Sequence, residues 1–270
     1  MPGTLLEKLR RDEVALGVNL MYPAPSSLES MGRGWDWIWI DGQHGQMDYA
    51  TILHAVQVAG LLGSSTCVRV PGHALDAIGP TLDMGADAIM VPMVNSADEA
   101  KRLAPAMYFP PRGSRSYGGR RVIDLDGRDY YKTANDRVLL ICQIETLEAV
   151  EQAERIAAVE GVGALFFGPD DMKMRMGLPI NTQVQESPEL LKAMEKMARA
   201  ARNAGKVAGI VAPSAPSIQA AAGMGYRLIV GGGDVGFLRT GSAAKLEELR
   251  GALAGQAKAA GAKPGPVSPY

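Results

Sequence analysis

Residues capable of acid–base chemistry follow one of the most apolar segments of the chain. Trp37 to Ile40 lead directly into Asp41, and His44, one of only three histidines in 270 residues, comes three positions later. An imidazole titrates near neutral pH, and a neighbouring carboxylate can fix its tautomer and raise its basicity. Asp41 and His44 are therefore a candidate acid–base pair at the end of a strand.

Two further carboxylates, Glu145 and Asp171, follow apolar runs later in the chain, in the segments Gln143-Ile144-Glu145 and Gly168-Pro169-Asp170-Asp171. If they face one another, desolvation requires a cation between them or a shared proton. Two carboxylates leave most of an octahedral shell open for water and a chelating substrate, which suits Mg²⁺, Mn²⁺ or Co²⁺. The alternative is that each carboxylate caps the helix that begins beside it.

Arg69 interrupts a strand that is otherwise suited to burial, in the segment Cys67-Val68-Arg69-Val70-Pro71. A guanidinium cannot lose its charge there, so it needs an anion. Either a structural carboxylate or an anionic substrate can supply that anion, and the sequence leaves both open.

Other chemically suggestive residues are better explained by structure. His54 falls in a helical pattern and is expected at the surface or in packing. His73, at the start of the helix after Pro71-Gly72, is expected to have a loop role, and a place on the rim is the alternative. The segment 231–236 formally contains G-x-G-x-x-G, but too little chain follows to build a dinucleotide-binding unit. Its glycines either hold an anion at the start of the last helix or allow close packing.

Short apolar runs alternate with helical patterns along the whole chain, which favours a parallel sheet. The eight predicted strands are Ala15 to Leu20, Trp35 to Ile40, Thr66 to Val70, Ala88 to Val91, Val138 to Ile144, Ala164 to Phe167, Val207 to Val211 and Leu228 to Val230. Eight strand–helix units in about 250 residues predict a (β/α)8 TIM barrel. In such a barrel the residues that follow the strands share one rim, where chemistry takes place.

Composition narrows the classes of partner. With 28 basic and 29 acidic residues the chain has no overall field that favours nucleic acid or an anionic membrane, and no apolar run approaches the roughly 20 residues of a membrane helix. Cys67 and Cys142 lie in apolar runs, which indicates buried thiols in a reducing compartment, and no signal peptide is recognisable. We expect a soluble cytoplasmic protein that binds small molecules.

We expect one barrel domain over residues 1–254 and a flexible or partner-contacting tail over residues 255–270. The segment 108–126 is the longest stretch without periodicity and carries several prolines, glycines and arginines. It is interpreted as an ordered active-site or interface loop.

These segments together resemble the HpcH/HpaI family of metal-dependent class II pyruvate aldolases, of the 4-hydroxy-2-oxoheptanedioate aldolase type. The resemblance runs from about Val14 to Leu238. It is carried by Trp37-Ile-Trp-Ile-Asp-Gly-Gln-His44, Val68-Arg-Val-Pro71, Gly85-Ala-Asp-Ala-Ile-Met-Val-Pro-Met93, Tyr108-Phe-Pro-Pro-Arg-Gly-Ser-Arg115, Gln143-Ile-Glu-Thr146 and Gly168-Pro-Asp-Asp171.

The resemblance implies a barrel of the phosphoenolpyruvate/pyruvate-binding type, assembled as a hexamer that is built from dimers whose subunits exchange their last helices. It implies that Glu145 and Asp171 hold the divalent metal, and that Arg69 binds the C2 oxygen of a 2-oxo acid and of its enolate. Asp41 and His44 would be the acid–base pair. Gln143 would line the site, and the backbone amides of the turn Gly168, Pro169, Asp170 and Asp171 would receive the substrate carboxylate.

The implied reaction is reversible cleavage of a 4-hydroxy-2-oxo acid to pyruvate and an aldehyde. Gln43 and Asp170 depart from the family pattern, which usually has Glu and a small residue there, so charge is displaced within the site. Related sites decarboxylate oxaloacetate or join an enolate to a second substrate, as in macrophomate synthase or a citrate-forming enzyme. The alternative from another class is a non-catalytic barrel that binds an anion at Arg69 and at the glycines of segment 231–233, as a sensor or assembly subunit.

Overall fold

A computed structural model describes residues 4–259, which form a closed barrel of eight parallel strands. The strands are β1 (Ala15–Leu20), β2 (Trp37–Asp41), β3 (Ser65–Arg69), β4 (Ala88–Val91), β5 (Leu139–Ile144), β6 (Val162–Phe167), β7 (Val207–Val211) and β8 (Tyr226–Gly233). Each strand pairs with the next, and β8 returns to pair with β1. The predicted (β/α)8 barrel is confirmed, and β1, β4 and β7 have the predicted bounds.

Helices connect and cover the strands. They are α1 (Thr4–Arg10), α2 (Leu28–Met31), α3 (Tyr49–Leu62), α4 (Leu75–Asp83), α5 (Ala97–Met107), α6 (Arg120–Asp126), α7 (Tyr131–Ala134), α8 (Leu147–Ala157), α9 (Pro169–Arg175), α10 (Pro188–Asn203), α11 (Ala215–Gly223) and α12 (Asp234–Ala259). The side chains of Asp48, Ser96, Thr146, Ser187 and Ser214 cap α3, α5, α8, α10 and α11, respectively. These caps satisfy amides of the first helical turn that have no partner within the helix.

Large side chains fill the barrel interior, because successive strand residues point to opposite faces. Trp37, Trp39 and Phe166 belong to this inner cluster, together with Leu5 from α1 at the amino-terminal end of the barrel. A Cβ atom on Gly17 would lie 2.3 Å from Cε2 of Trp37. Only glycine therefore leaves room for this indole on the neighbouring strand.

The segment 108–126 lies at the amino-terminal end of the barrel. Arg115 Nη2 contacts Asp83 Oδ1 at 2.7 Å, and Arg121 Nη1 donates to the carbonyl of Met84 at 2.6 Å. Both acceptors lie where α4 ends and the chain turns toward β4. This connection leads from a helix to a strand, so it lies at the end of the barrel opposite the carboxyl ends of the strands. The interpretation as an active-site loop is therefore wrong for the active site of its own subunit. Its interpretation as an interface loop stays a prediction.

The last helix extends past the expected domain boundary. α12 continues to Ala259, so the boundary placed after residue 254 falls inside a helix, and residues 260–270 of the expected tail lie outside the described part of the chain. Within residues 4–259, no helix combines the length and apolar character needed to cross a membrane.

Candidate active site

Strand alternation and register bring the predicted polar residues to one rim. Asp41 ends β2 and is the register partner of Arg69, which ends β3. Gln143 lies near the carboxyl end of β5, and Glu145 follows that strand. All four residues are buried, with 1–6% of their surface exposed. Polar groups at this depth need partners, because their desolvation otherwise disfavours folding.

Arg69 obtains these partners from the two neighbouring site residues. Its Nε donates to Asp41 Oδ1 at 3.0 Å and its Nη2 to Asp41 Oδ2 at 2.5 Å, which is a bidentate pair. Its Nη1 donates to Gln143 Oε1 at 3.3 Å, and its guanidinium carbon lies 4.7 Å from the ring centroid of Trp39. Three of the five guanidinium N–H groups are engaged, so two remain for a ligand. A structural carboxylate thus supplies the anion that Arg69 needs.

Asp41 stays ionised despite its burial. Burial by itself would raise the pKa of Asp41, but the hydrogen bond and charge of Arg69, with the amides of His44 and Gln43, hold it below its usual value. Asp41 Oδ1 accepts from the amide of Gln43 at 3.0 Å and from that of His44 at 3.1 Å. This carboxylate therefore orients the guanidinium and closes the turn that carries His44.

The imidazole of His44 lies apart from this network. The residue is exposed, and no hydrogen bond within residues 4–259 joins its ring to Asp41. The structure brings Asp41 and His44 together through the backbone, while the side-chain partner of Asp41 is Arg69. His44 is free to meet a ligand at the rim, and its acid–base role stays a prediction.

Glu145 is the most perturbed carboxylate of the rim. Its Oε2 accepts from the amide of Met93 at 3.0 Å, while Thr146 and not Glu145 caps α8. The capping alternative is therefore wrong for Glu145. Burial, with the nearby negative charge of Asp171, raises the pKa of Glu145 from 4.5 to about 7, although the Met93 amide, Arg69 and Arg175 oppose the rise.

The turn after β6 approaches Glu145 closely. A Cβ atom on Gly168 would lie 2.6 Å from both Cγ and Oε1 of Glu145, so glycine is required there. Gly168 is the residue that precedes α9, and no side-chain hydrogen bond caps this helix, so a hydrogen-bonded cap from Asp171 is wrong. Asp171 lies half-buried in the first turn of α9.

The amides of this turn are only partly available to a ligand. The Gly168 amide donates to the carbonyl of Ile144 at 3.1 Å, and Pro169 has no N–H group. The expectation that the whole turn offers amides is therefore wrong for these two residues, which leaves the amides of Asp170 and Asp171. The carboxylate of Asp170 is exposed and pairs with Lys173 at 3.0 Å.

A divalent cation fits the donors at this rim. Glu145 has one hydrogen bond in the described part of the chain, through Oε2, and burial with the charge of Asp171 raises its pKa, so its ionised form lacks compensating positive charge. Asp171 adds a second carboxylate. No group of three or more His, Cys, Asp or Glu side chains within residues 4–259 is arranged to hold a metal. Two carboxylates with open positions for water and substrate suit a hard cation such as Mg²⁺.

The remaining candidates lie outside the hydrogen-bond network of Asp41, Arg69 and Gln143. His54 is exposed on α3, as expected. His73 Nε2 lies 2.8 Å from the carbonyl oxygen of Pro92. The glycines at the end of β8 allow close packing, because a Cβ on Gly232 would lie 2.7 Å from Phe237 and one on Gly233 would lie 3.0 Å from a backbone oxygen. Of the two interpretations of the glycine segment, these contacts favour packing.

Sequence reasoning assigned no role to the residues between β4 and α5. Met93 supplies the amide that binds Glu145, and Asn95 contacts both Met93 and Thr146. The available signal was the capping pattern of Ser96 and Glu99, which marks a tightly turned segment before α5.

Comparisons with known proteins agree with this architecture. A family model described as HpcH/HpaI aldolase/citrate lyase matches residues 24–240. A 4-hydroxy-2-oxovalerate aldolase from Novosphingobium aromaticivorans is 37% identical over 252 residues, which cover 92% of this chain and 95% of that one. A hydroxypyruvate/pyruvate aldolase from Delftia acidovorans is 35% identical over 246 residues, which cover 90% of each.

Solved structures give the same result. The crystal structure of a HpcH/HpaI aldolase/citrate lyase family protein from Burkholderia cenocepacia superposes with a TM-score of 0.83 at 32% identity. The match covers 92% of this chain and 99% of that one. The resemblance predicted from the sequence motifs is confirmed.

Proposed function

The chain belongs to the HpcH/HpaI aldolase/citrate lyase family, and from this premise we propose a divalent-metal-dependent pyruvate aldolase that reversibly cleaves a 4-hydroxy-2-oxo acid to pyruvate and an aldehyde. The observation that carries the metal dependence is Glu145, a buried carboxylate whose Oε2 accepts from the amide of Met93 while its Oε1 lies against the Gly168 turn that leads to Asp171. Burial, with the charge of Asp171, raises its pKa, and Arg69 opposes the rise. A group with this environment is typical of functional sites.

In this proposal Glu145 and Asp171 hold the metal, which is Mg²⁺, Mn²⁺ or Co²⁺. When bound, the ion acts as a Lewis acid that polarises the keto group of the 2-oxo acid. The choice of metal follows from the all-oxygen donors, since hard cations prefer carboxylate and water ligands.

Arg69 binds the C2 oxygen and stabilises the negative charge that develops on it in the enolate. The bidentate bond to Asp41 and the contact with Gln143 hold the guanidinium in one orientation before substrate arrives. Such preorganised donors favour the transition state because they need no reorganisation during reaction. Gln143 acts here by fixing Arg69, and the amides of Asp170 and Asp171 receive the substrate carboxylate.

His44 moves the proton on the oxygen of the aldehyde partner, either taking it during cleavage or returning it during condensation. Its exposed position at the rim suits contact with the part of the substrate that differs between 2-oxo acids. Gln43 next to it is neutral where the family usually has Glu, so the side chain beside His44 adds no negative charge.

Exchange of the pyruvate methyl protons with deuterium, followed by NMR, tests the proposal. We expect exchange that stops with chelator and returns with Mn²⁺ or Mg²⁺, and that is lost in Glu145→Gln. The matched control is Glu148→Gln, because Glu148 is an exposed glutamate in the first turn of α8. Absence of metal-dependent exchange in the wild-type protein would support the non-catalytic alternative.

A second assay separates the reactions that share this enolate. Pyruvate release from hydroxy-oxo acids and CO₂ release from oxaloacetate are measured with the same enzyme, and we expect the first to be faster. His44→Ala and Glu145→Ala should both slow aldol cleavage, and wild-type rates in both variants would contradict the assigned roles.

We also propose a cytoplasmic homo-oligomer, a hexamer or trimer of dimers. Exposed apolar side chains along α12, including Phe237, Leu238, Leu246 and Leu249, support contacts with other subunits. Cys67 and Cys142 are free and buried, which is compatible with a reducing compartment. Light scattering on the purified protein tests the assembly.

A further inference from the structure

The turn between β4 and α5 contains a backbone conformation that a residue with a side chain rarely adopts. Met93 has a φ angle of +56°, in the left-handed region. A Cβ atom crowds the carbonyl oxygen in this region, so such residues persist only where their surroundings impose the conformation. Here the residue lies immediately beside the rim of the barrel.

This conformation directs backbone groups of the turn toward two site residues on β5 and its carboxyl end. The amide of Met93 donates to Glu145 Oε2 at 3.0 Å, and the amide of Val94 donates to the carbonyl of Gln143 at 3.1 Å. One oxygen of the Glu145 carboxylate is therefore fixed. The other, Oε1, lies on the side of the Gly168 turn that leads to Asp171.

Asn95 holds the turn in place. Its Nδ2 donates to the carbonyl of Met93 at 3.0 Å, and its Oδ1 accepts from Thr146 Oγ1 at 2.7 Å. Thr146 follows Glu145 in the chain and caps α8, so the contacts form a closed ring from Asn95 through Thr146, Glu145 and Met93 back to Asn95.

The ring is anchored on its outer side as well. The amide of Asn95 donates to Glu99 Oε2 at 2.7 Å, and the carbonyl of Pro92 lies 2.8 Å from His73 Nε2. The NH₂ group and the oxygen of the Asn95 side chain are both used inside the ring. Its backbone is tied to α5.

We propose that Asn95 is a positioning residue for the metal: it imposes the left-handed conformation on Met93 and thereby sets the orientation in which Glu145 presents Oε1. This inference rests on the proposed role of Glu145 as a metal ligand. Partners that orient a ligand are known to change metal affinity by about 10- to 100-fold when removed.

Binding of Mn²⁺ to the full-length, metal-stripped protein, measured by the EPR signal of free Mn²⁺, tests the inference. Asn95→Ala should weaken Mn²⁺ binding about tenfold, and Asn95→Ser, too short to span both partners, should do the same if the alanine variant does not fold. Asn135→Ala is the control, because Asn135 Oδ1 accepts from the amide of Phe109 and its Nδ2 donates to the Phe109 carbonyl, in the segment at the amino-terminal end of the barrel. It should leave Mn²⁺ affinity unchanged.

A rescue variant separates positioning from a general loss of stability. Glycine adopts φ values above zero without crowding, so Met93→Gly combined with Asn95→Ala should recover at least half of the lost affinity on a logarithmic scale. Wild-type affinity in Asn95→Ala, or no recovery in the double variant, would overturn the inference while the metal site stands. If wild type and Glu145→Gln bind Mn²⁺ equally weakly, the metal assignment itself fails and the inference with it.

Discussion

Replacing Glu145 by glutamine should stabilise the metal-free protein at alkaline pH. Glu145 is 2% exposed, and burial with the charge of Asp171 raises the pKa of its carboxyl from 4.5 to about 7. The folded protein therefore holds this proton more tightly than the unfolded chain does. The contribution of this proton to the free energy of unfolding is complete below about pH 4.5. It decreases as the pH rises and is lost above about pH 7.

The magnitude follows from the change in proton affinity. The pKa of Glu145 differs between 4.5 in the unfolded chain and about 7 in the folded protein, and each tenfold change in proton affinity corresponds to about 1.4 kcal/mol. The ionised carboxylate therefore lowers the free energy of unfolding by about 3 kcal/mol at pH 8. At pH 5 the cost is below about 1 kcal/mol, because the folded protein keeps the proton. Glutamine removes the charge, and its amide oxygen can still accept from the amide of Met93.

Urea unfolding of chelator-treated protein at pH 5 and pH 8 measures this effect. We expect the free energy of unfolding of Glu145→Gln to exceed that of wild type by about 3 kcal/mol at pH 8 and by less than about 1 kcal/mol at pH 5. Glu148→Gln, at an exposed position in the first turn of α8, should change the free energy of unfolding by no more than about 0.5 kcal/mol at either pH. A Glu145→Gln variant that is no more stable than wild type at pH 8 would refute the assignment of an uncompensated charge.

Three further substitutions test the packing and charge of the rim and the packing of the barrel interior. In Gly168→Ala the new Cβ would lie 2.6 Å from Oε1 of Glu145. We expect Mn²⁺ affinity, measured by isothermal titration calorimetry, to fall at least tenfold, and an unchanged affinity would contradict the close approach. Arg69→Lys cannot keep the bidentate bond to Asp41, so pyruvate proton exchange should fall by about 100-fold or more, and exchange within threefold of wild type would show that the planar group is dispensable. Gly17→Ala meets the ring of Trp37 at 2.3 Å and should lower stability by about 1–3 kcal/mol in urea, an effect that Gly79→Ala, where nothing lies within 4 Å, should not share.

The sequence could predict the barrel because buried parallel strands read as apolar runs regardless of their neighbours. Helices on one side and packed interior on the other leave no polar face, so the bounds of Ala15–Leu20, Ala88–Val91 and Val207–Val211 were predicted as observed. The same rule identified Glu145 and Asp171 as residues that follow strands. The position of segment 108–126 at the amino-terminal end of the barrel was also predictable, because the segment follows a helix and precedes a strand. Its glycines and arginines instead suggested a functional loop.

Contacts between distant residues depended on the tertiary structure. Arg69 could have met a substrate or a carboxylate, and the register of β2 against β3 placed it beside Asp41, whose predicted side-chain partner was His44. Thr146 and Glu145 are both able to cap a helix, and the left-handed turn at Met93 gave Glu145 a different partner.

What the sequence determined by itself is the order of strands and helices and the chemical types that follow each strand, because periodicity and polarity are properties of neighbouring residues. What only the tertiary structure decided is which of those groups share a hydrogen bond, which is buried and how far its pKa moves. Those outcomes depend on distances across the barrel between segments far apart in the chain, and Glu145 depends on both β4 and β6 for its surroundings.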